Sequence, residues 1–222
     1  MDDVGVTANR STPADVDSTR AAYDGIAEIY TEFAENHLAG QPHDRAMLAV
    51  FAELLQANGS GAAADIGCGP GRLTAHLHTL GVPAFGIDLS PEMIGIARRR
   101  YPELSFHEGT MEQLALADGS LRGLVAWYSI IHLPPERVPD VLTEFNRVLA
   151  MQGHALLAFF ATDTPDSVEA FDHKVTRAYR WAPERLAALL RDAGFTVHTR
   201  MVREPDPGER FLQGYLLAVK VR

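Results

Sequence analysis

A glycine-rich turn between an apolar strand and an amphipathic helix constrains this chain more than any other feature. The segment Asp65–Gly71 reads DIGCGPG, and its first two residues end the short apolar run 62–66. Leu73 and Leu77, four residues apart, then begin the apolar face of a helix. Glycines at such a turn let the backbone bend tightly and approach a ligand closely. The pattern therefore predicts a strand-turn-helix unit whose turn binds a ligand.

The spacing of these glycines argues against two common nucleotide sites. The dinucleotide pattern G-x-G-x-x-G needs a third glycine, and the chain has Arg72 there when counted from Gly67 and Thr74 when counted from Gly69. A phosphate-binding P-loop needs a lysine after its glycines, and none follows here. What remains is G-x-G-x-G with Asp65 two positions before the first glycine. Interpretations based on NAD or ATP are therefore weakened.

A second acidic residue lies at the end of the next strand. The apolar run 83–88 ends in Asp88, 17 residues after Gly71. An acid at about this distance, at the end of the second strand, is where a nucleoside ribose is held. A carboxylate suits this position because it can accept hydrogen bonds from two vicinal hydroxyls at once. Ser90 then predicts the N-cap of the following helix.

Taken in order, these segments resemble a known family, the class I S-adenosylmethionine-dependent methyltransferases. The segment Trp127–Ser129 resembles a subgroup of small bacterial methyltransferases of unassigned substrate. The resemblance covers most of the chain from Tyr23 onward and is carried by Asp65–Gly71, Gly86–Ser90, Gly109–Met111, Ala126–Leu133 and Arg147–Leu149, before Gly153. It implies S-adenosylmethionine as the cofactor.

The periodic pattern after residue 61 predicts a parallel sheet covered on both faces, because strands and helices alternate. The last two strands have no helix between them, which predicts an antiparallel pair. The resemblance implies the same α/β fold: a Rossmann-like three-layer sandwich with a seven-stranded, mostly parallel sheet, an antiparallel C-terminal hairpin strand and an N-terminal helical lid. We expect a mobile tail over 1–17 and a single domain over 18–222, with the lid over 18–60 and the core over 61–222. The predicted strands lie near 62–66, 83–88, 104–107, 121–127, 154–160, 195–202 and 211–219.

The cofactor site that follows from the motifs and the resemblance runs along the carboxyl ends of the first four strands. Tyr23 is the lid tyrosine that the resemblance places over the methionine end of the cofactor, in preference to Tyr30; core packing is the alternative role. Thr110 and Met111 lie where the family holds adenine, and Leu89 and Met93 are further candidates for its wall or for the core. The full set of cofactor-binding candidates is Tyr23, Asp65, Gly67, Cys68, Gly69, Gly71, Asp88, Leu89, Met93, Thr110, Met111, Ala126 and Trp127.

The acceptor site is expected beside the end of the fourth strand. Because side chains alternate along a strand, we expect one of Trp127 and Tyr128 to flank the methyl group and the other to pack beneath the sheet. His132 follows them and is either a general base or a structural histidine. The segment 162–181 is predicted to be a long functional loop. It supplies the candidate acceptor contacts His173, Arg177 and Tyr179, whose alternative is a solvated surface.

Composition sets limits on the partners. The chain has 222 residues, a formal net charge of −9 and one cysteine, and it lacks a basic region followed by an apolar run at its start. Acidic charge argues against a nucleic-acid partner, and no metal site is predicted. We therefore expect a cytoplasmic monomer or homodimer that methylates oxygen or nitrogen of a small molecule without contacting a membrane. The alternatives are an NAD(P)-dependent oxidoreductase and a cofactor-binding module without turnover.

Overall fold

A mixed β-sheet with helices on both faces forms the core of the computed structural model, which describes residues 14–34, 37–57, 59 and 61–222. Pairing gives the main sheet the order β3-β2-β1-β4-β5-β9-β8, in which β1 to β5 are parallel and β9 is antiparallel to both neighbours. The strands are β1 Ala63–Ile66, β2 Ala84–Asp88, β3 Phe106–Glu108, β4 Leu121–Trp127, β5 Leu149–Ala161, β6 Val168–Asp172, β7 Arg177–Trp181, β8 Phe195–Arg203 and β9 Leu212–Lys220.

The helices of the described residues cover this sheet. Their bounds are α1 Ala14–Asp24, α2 Ala27–Ala34, α3 Pro42–Ala57, α4 Arg72–Thr79, α5 Pro91–Arg100, α6 Val138–Val148 and α7 Pro183–Asp192, with 3-10 turns at Leu38–Gly40, Ile130–His132 and Pro135–Arg137. None of these helices is long and apolar enough to cross a membrane, and no group of three or more metal-ligating side chains occurs in the same described ranges.

Strand β4 shows how the sequence builds the two cores. Leu124 and Ala126 pack into the cluster that contains Phe145 of α6, whereas Val125 joins the cluster that contains Phe51 of α3. The side chains alternate between the two faces because a strand has a period of two residues. Since both faces are covered, the strand is apolar at nearly every position. The predicted three-layer sandwich and the antiparallel C-terminal pair are confirmed.

The segment 162–181 is not the loop that we predicted. Its residues form the antiparallel hairpin β6–β7, paired from Val168↔Trp181 to Asp172↔Arg177, and β7 joins β5 at Ala161↔Trp181. Short strands of mixed polarity become stable here because each is the other's partner and β5 anchors one end. Over the described residues the sheet therefore has nine strands, the seven predicted ones and the two of this hairpin.

The N-terminal helix differs from the expectation in its bounds. The pattern predicted one helix from Thr19, but the chain breaks at Gly25 and Ile26 into α1 and α2. Residues 14–17, assigned to the tail, begin α1, and Val16 is buried. The rest of the predicted tail, residues 1–13, lies outside the described residues.

Candidate cofactor and acceptor site

A cleft of about 890 Å³, open to solvent, lies at the carboxyl ends of β1, β2 and β4. Helix α1 forms its cover, and the glycine turn after β1 forms its floor. In open α/β sheets this edge is where ligands bind. The predicted site residues that line the cleft are Tyr23, Gly67, Gly69, Asp88, Leu89, Met93, Thr110, Met111, Trp127, Tyr128 and His132.

The glycine turn meets two different requirements. Gly67 has φ +76°, and a Cβ there would lie 2.3 Å from the Cβ of Ser129, so this glycine is required by packing against the segment after β4. Gly69 has φ +54°, and its Cβ would reach only the Tyr30 ring, at 3.8 Å. Glycine adopts positive φ without the steric penalty of other residues. Gly69 is thus the position where the backbone itself faces the cleft.

Asp88 fixes the turn and presents its carboxylate at the cleft. Its Oδ2 accepts from the Gly69 N–H at 2.7 Å, and its Oδ1 accepts from the Ser90 N–H at 2.8 Å. Burial raises the pKa of Asp88, while the hydrogen bonds from the Ser90 and Gly69 backbones act to lower it. Each carboxylate oxygen can accept more than one hydrogen bond. Asp88 therefore retains acceptor capacity for a ligand.

Helix α1 is held over the cleft by hydrogen bonds to the segment that follows β2. Arg20 Nε donates to the Leu89 carbonyl at 3.3 Å. Asp24 Oδ1 accepts from the Ser90 hydroxyl at 2.5 Å and from the Glu92 N–H at 3.4 Å. These bonds attach the lid to the end of β2 and the start of α5, so the lid and the Asp88 loop form one wall.

His132 makes a hydrogen bond through each ring nitrogen. Its Nδ1 lies 3.1 Å from the Arg177 carbonyl oxygen, and its Nε2 lies 2.7 Å from the Tyr23 hydroxyl. Because a carbonyl only accepts, the proton of the neutral ring is assigned to Nδ1, and Nε2 accepts from Tyr23. Burial, and then the neighbouring His173, lower the pKa of His132 to about 4. The ring is therefore neutral at pH 7, with its basic nitrogen toward the lid.

Trp127 and Tyr128 do not divide between two faces as the strand pattern predicted. Both line the cleft. Tyr128 lies one residue beyond β4 and has φ +52°, so it has left strand geometry. Its hydroxyl donates to Gln213 Oε1 at 2.5 Å, which draws the side chain toward β9.

Several predicted site residues lie outside the cleft lining. Asp65 is fully buried, and Cys68 is buried against Gly86. A Cβ added at Gly71 would meet the Phe106 ring, so this position faces the core and not the cleft. Ala126 packs in the core on the α6 side because it follows Val125 in the alternation.

The acceptor candidates of the hairpin also lie outside the lining, behind His132. The Arg177 side chain is exposed, and it is its backbone carbonyl that meets His132. The His173 ring lies 5.0 Å from the His132 ring, between centroids. Tyr179 packs against the core. The expected direct contact of these side chains with the cleft does not occur in this structure.

Sequence reasoning missed several residues that line the cleft. Arg137 Nη1 lies 2.7 Å from Glu112 Oε1, and the same guanidinium pairs with Asp15 of α1. Ser129 donates to the Ile66 carbonyl at 2.7 Å and so joins the ends of β1 and β4. No motif marks Arg137 or Glu112, and Ser129 lies within the Ala126–Leu133 segment without being singled out, because each pairing joins separate segments of the chain. Tyr30 was considered only as a competitor of Tyr23, and both tyrosines line the cleft.

Comparison with known proteins agrees with this geometry. A methyltransferase domain family matches residues 63–153. The dTDP-3-amino-3,6-dideoxy-alpha-D-glucopyranose N,N-dimethyltransferase of Streptomyces fradiae is 30% identical over 209 residues, which cover 90% of this chain and 73% of that protein. The chain belongs to the class I S-adenosylmethionine-dependent methyltransferases. The cofactor of this family is S-adenosylmethionine, as the resemblance implied.

Other relatives of this chain are named for different acceptors. The demethylmenaquinone methyltransferase of Chlorobaculum parvum is 31% identical over 157 residues, covering 59% of this chain and 64% of that protein. The chain thus spans slightly less than two thirds of that relative. The structure of magnesium protoporphyrin IX methyltransferase from Synechocystis PCC 6803 with bound SAM has a TM-score of 0.68 at 18% identity, covering 96% of this chain and all of that one. At such identity the likeness supports the fold.

Two unpaired buried atoms test whether the residues of this methyltransferase fit the cofactor. In the part of the chain that the structure describes, Asp65 Oδ1 and Arg72 Nη1 are buried without a hydrogen-bond partner. Asp65 Oδ2 accepts from the Thr74 hydroxyl at 2.7 Å, and burial raises the pKa of Asp65 to about 7. The charge of Arg72 acts to lower the pKa of both Asp65 and Tyr30, so the guanidinium lies near both. An unpaired acceptor and an unpaired donor suit the ammonium and the carboxylate of a methionine group, so these two residues fit that end of the cofactor, although neither lines the cleft.

Proposed function

We propose that this methyltransferase methylates oxygen or nitrogen of a small molecule, with His132 as the base that receives the acceptor's proton. The observation that supports the proposal is the 2.7 Å contact between His132 Nε2 and the Tyr23 hydroxyl at the cleft. At this contact a neutral imidazole, whose tautomer is fixed by the Arg177 carbonyl, meets a tyrosine of the lid helix.

The assignment of the cofactor's parts follows the chemistry of the lining. Asp88 would hold the ribose hydroxyls, and Leu89, Met93, Thr110 and Met111 would surround adenine. Asp65 and Arg72, which do not line the cleft, would neutralise the methionine end, and Tyr23 would contact it. When bound, S-adenosylmethionine supplies a methyl carbon activated by a sulfonium. The protein's task is to align the acceptor with that carbon.

His132 holds the proton that the acceptor must lose. Its Nε2 has one lone pair, which Tyr23 occupies in this structure. An acceptor hydroxyl or amine that enters the cleft replaces Tyr23 as the donor to Nε2. The Arg177 carbonyl keeps Nδ1–H as a donor, so the ring presents its basic nitrogen to the acceptor.

A small-molecule acceptor is supported by the printed activities of the relatives. They include demethylmenaquinone, magnesium protoporphyrin and amino-sugar nucleotide methyltransferases. The net charge of −9 also favours such an acceptor over a nucleic acid. Family membership favours this function over a nicotinamide-dependent oxidoreductase. A monomeric or homodimeric state stays a prediction.

Calorimetric titration with S-adenosylhomocysteine, and separately with NAD and NADP, tests the cofactor part of the proposal. We expect micromolar or tighter binding of S-adenosylhomocysteine alone. Incubation with S-adenosylmethionine and a panel of phenols, carboxylic acids and amines, read as the mass gain of one methyl group, tests the reaction. Tight cofactor binding without any methylated product would favour a module without turnover.

A further inference from the structure

A group of half-buried rings lies at the same edge of the sheet as the cleft, on the side of the β6–β7 hairpin. It consists of Phe160, Phe171, His173 and Phe211 together with the guanidinium of Arg210, and we name it the hairpin cluster. The Phe171 and Phe211 ring centroids are 4.8 Å apart, and that of Phe160 is 5.5 Å from Phe171 and 5.9 Å from Phe211. None of these rings is fully buried. The cluster therefore presents aromatic surface to solvent.

Two contacts connect the hairpin cluster to the cleft. The Phe160 ring lies 5.1 Å from Tyr128, and the His173 ring lies 5.0 Å from His132. Tyr128 and His132 both line the cleft. A molecule that reaches His132 from the hairpin side thus passes over aromatic rings.

The cation of the cluster has no carboxylate partner among the described ion pairs. Arg210 lies 4.9 Å from the Phe211 centroid and 5.8 Å from the Phe171 centroid, and its Nη1 donates to the Asp172 backbone carbonyl at 2.9 Å. The Asp172 carboxylate accepts instead from the Lys174 N–H at 2.9 Å. The exposed Arg210 guanidinium therefore keeps several donors for a ligand.

Arg180 provides the contrast within the same hairpin. Its guanidinium lies 4.3 Å from the Phe211 centroid, but it is paired with Glu169 across β6 and β7. Its charge serves the hairpin itself. Of the two arginines on the Phe211 ring, Arg210 is the one whose charge the described carboxylates leave unmatched.

A buried polar atom points to a ligand at the same place. His173 Nδ1 is buried and has no hydrogen-bond partner in the ranges that the structure describes. An unsatisfied buried nitrogen costs free energy that a ligand's polar group recovers. His173 is also the cluster residue in ring contact with His132. The unmet hydrogen bond therefore lies between the candidate base and the aromatic rings.

We propose that the hairpin cluster is the acceptor subsite and that it takes a planar aromatic molecule bearing a carboxylate. The aromatic plane packs on Phe160 and Phe171, and the carboxylate accepts from Arg210 and His173. Aromatic rings favour stacked or edge contacts with a flat partner, and a guanidinium matches the geometry of a carboxylate. This inference rests on the proposed function, because the subsite adjoins His132.

Matched probes test both parts of the subsite by calorimetry on the protein saturated with S-adenosylhomocysteine. The probes are 2-naphthoate, its neutral analogue 2-naphthamide, and cyclohexanecarboxylate, which has the charge without the aromatic plane. We expect 2-naphthoate to bind about tenfold or more tightly than either other probe, on the scale of hydrogen bonds to charged groups.

Two variants and a control locate the binding. Arg210→Gln should weaken 2-naphthoate about tenfold and leave 2-naphthamide unchanged. Phe171→Leu should weaken both naphthalene probes, with thermal unfolding used to verify the fold. Arg200→Gln is the control. It removes another exposed arginine, which lies on β8 and is paired with Glu184 of α7, and it should not change the affinity for any of the probes.

The proposal is overturned if Arg210→Gln binds 2-naphthoate like the wild type, or if cyclohexanecarboxylate binds as well as 2-naphthoate. Binding of S-adenosylhomocysteine is measured first, in a separate titration of each variant. A failure of S-adenosylhomocysteine to bind would count against the proposed function. The probes would then be titrated into the protein without S-adenosylhomocysteine, because the hairpin cluster does not include the residues assigned to the cofactor. Cofactor binding together with no preference among the probes would refute the subsite alone.

Discussion

The cofactor side of the cleft is built from residues close together in the sequence, whereas the acceptor side joins residues from distant segments. Gly69 and Asp88 are 19 positions apart and share a hydrogen bond. Tyr23 and His132 are 109 positions apart, and His132 and Arg177 are 45 apart. A local site can be recognised as a motif, because its spacing follows from one strand-turn-helix unit. A site assembled across the fold leaves no such pattern.

The two sides also differ in how their polar groups are satisfied. Asp88 accepts two backbone N–H bonds that hold the turn before any ligand arrives. His132 instead accepts a hydrogen bond from the hydroxyl of Tyr23, in the lid, at its basic nitrogen Nε2. Nδ1 of His173 has no hydrogen-bond partner among the described residues. The Asp88 end of the cofactor side is thus preorganised, whereas the acceptor side must exchange partners when a substrate enters.

Gly67→Ala should have the largest effect, because Gly67 lies where the two sides meet. A Cβ there would lie 2.3 Å from Ser129 at φ +76°. The combined strain and overpacking should lower the free energy of unfolding by about 2–5 kcal/mol in urea titrations. Gly69→Ala is the matched control, since its Cβ has room; it should cost about 1–2 kcal/mol. Equal losses in the two variants would contradict the packing explanation.

His132→Ala should separate the two sides functionally. We expect methyl transfer to an acceptor that must lose a proton to fall about a hundredfold to a thousandfold. The affinity for S-adenosylhomocysteine should stay within about twofold, because His132 contacts the lid and hairpin rather than Asp88. His78→Ala, at an exposed position of α4, is the control. A comparable loss of cofactor affinity would show that the sides are not separable.

The pH dependence of the reaction gives a sharper test of the base. Because burial lowers the pKa of His132 to about 4, the ring is already unprotonated at pH 6. With an acceptor that does not titrate in this range, kcat/KM should be flat from pH 6 to 9 and fall only as the pH approaches about 4. A profile with a midpoint near 6.5, the ordinary value for histidine, would contradict the buried environment.

Asp88→Ala should act on the cofactor side alone. Loss of hydrogen bonds to a charged group should weaken S-adenosylhomocysteine by about 1.5–3 kcal/mol in calorimetry. Asp192→Asn, at an exposed position of α7, should leave the affinity unchanged. Wild-type affinity in the Asp88 variant would remove this residue from the site.

Arg137→Gln should have the smallest effect. Arg137 joins α1 to the loop after β3 through Asp15 and Glu112, at partly exposed positions. Such ion pairs contribute up to about 1 kcal/mol, so we expect S-adenosylhomocysteine affinity to fall a few-fold and the loss to shrink at high salt. A loss that does not depend on salt would mean that Arg137 touches the ligand itself.

The sequence allowed prediction where apolar periodicity and turn chemistry act locally. The seven main strands follow from such patterns, as do Gly69 and Asp88 at the cleft, whereas the family was recognised from the resemblance of an ordered set of motifs. The hairpin β6–β7 was missed because its strands gain stability from each other and from β5. Asp65 was expected in the site. One of its carboxylate oxygens is bonded to Thr74, in the first turn of α4, and the other is buried without a partner at a position that does not line the cleft. Tyr128 faces the cleft through a positive φ that no strand pattern contains.

We expect the cleft to bind S-adenosylmethionine with its ribose on Asp88 and its methionine end near Asp65, Arg72 and Tyr23 of the lid. A crystal structure with S-adenosylhomocysteine tests it most directly. We predict ribose hydroxyls within hydrogen-bond distance of the Asp88 carboxylate and the methionine carboxylate paired with Arg72. A ligand whose ribose avoids Asp88, or which binds outside the cleft, would contradict the account.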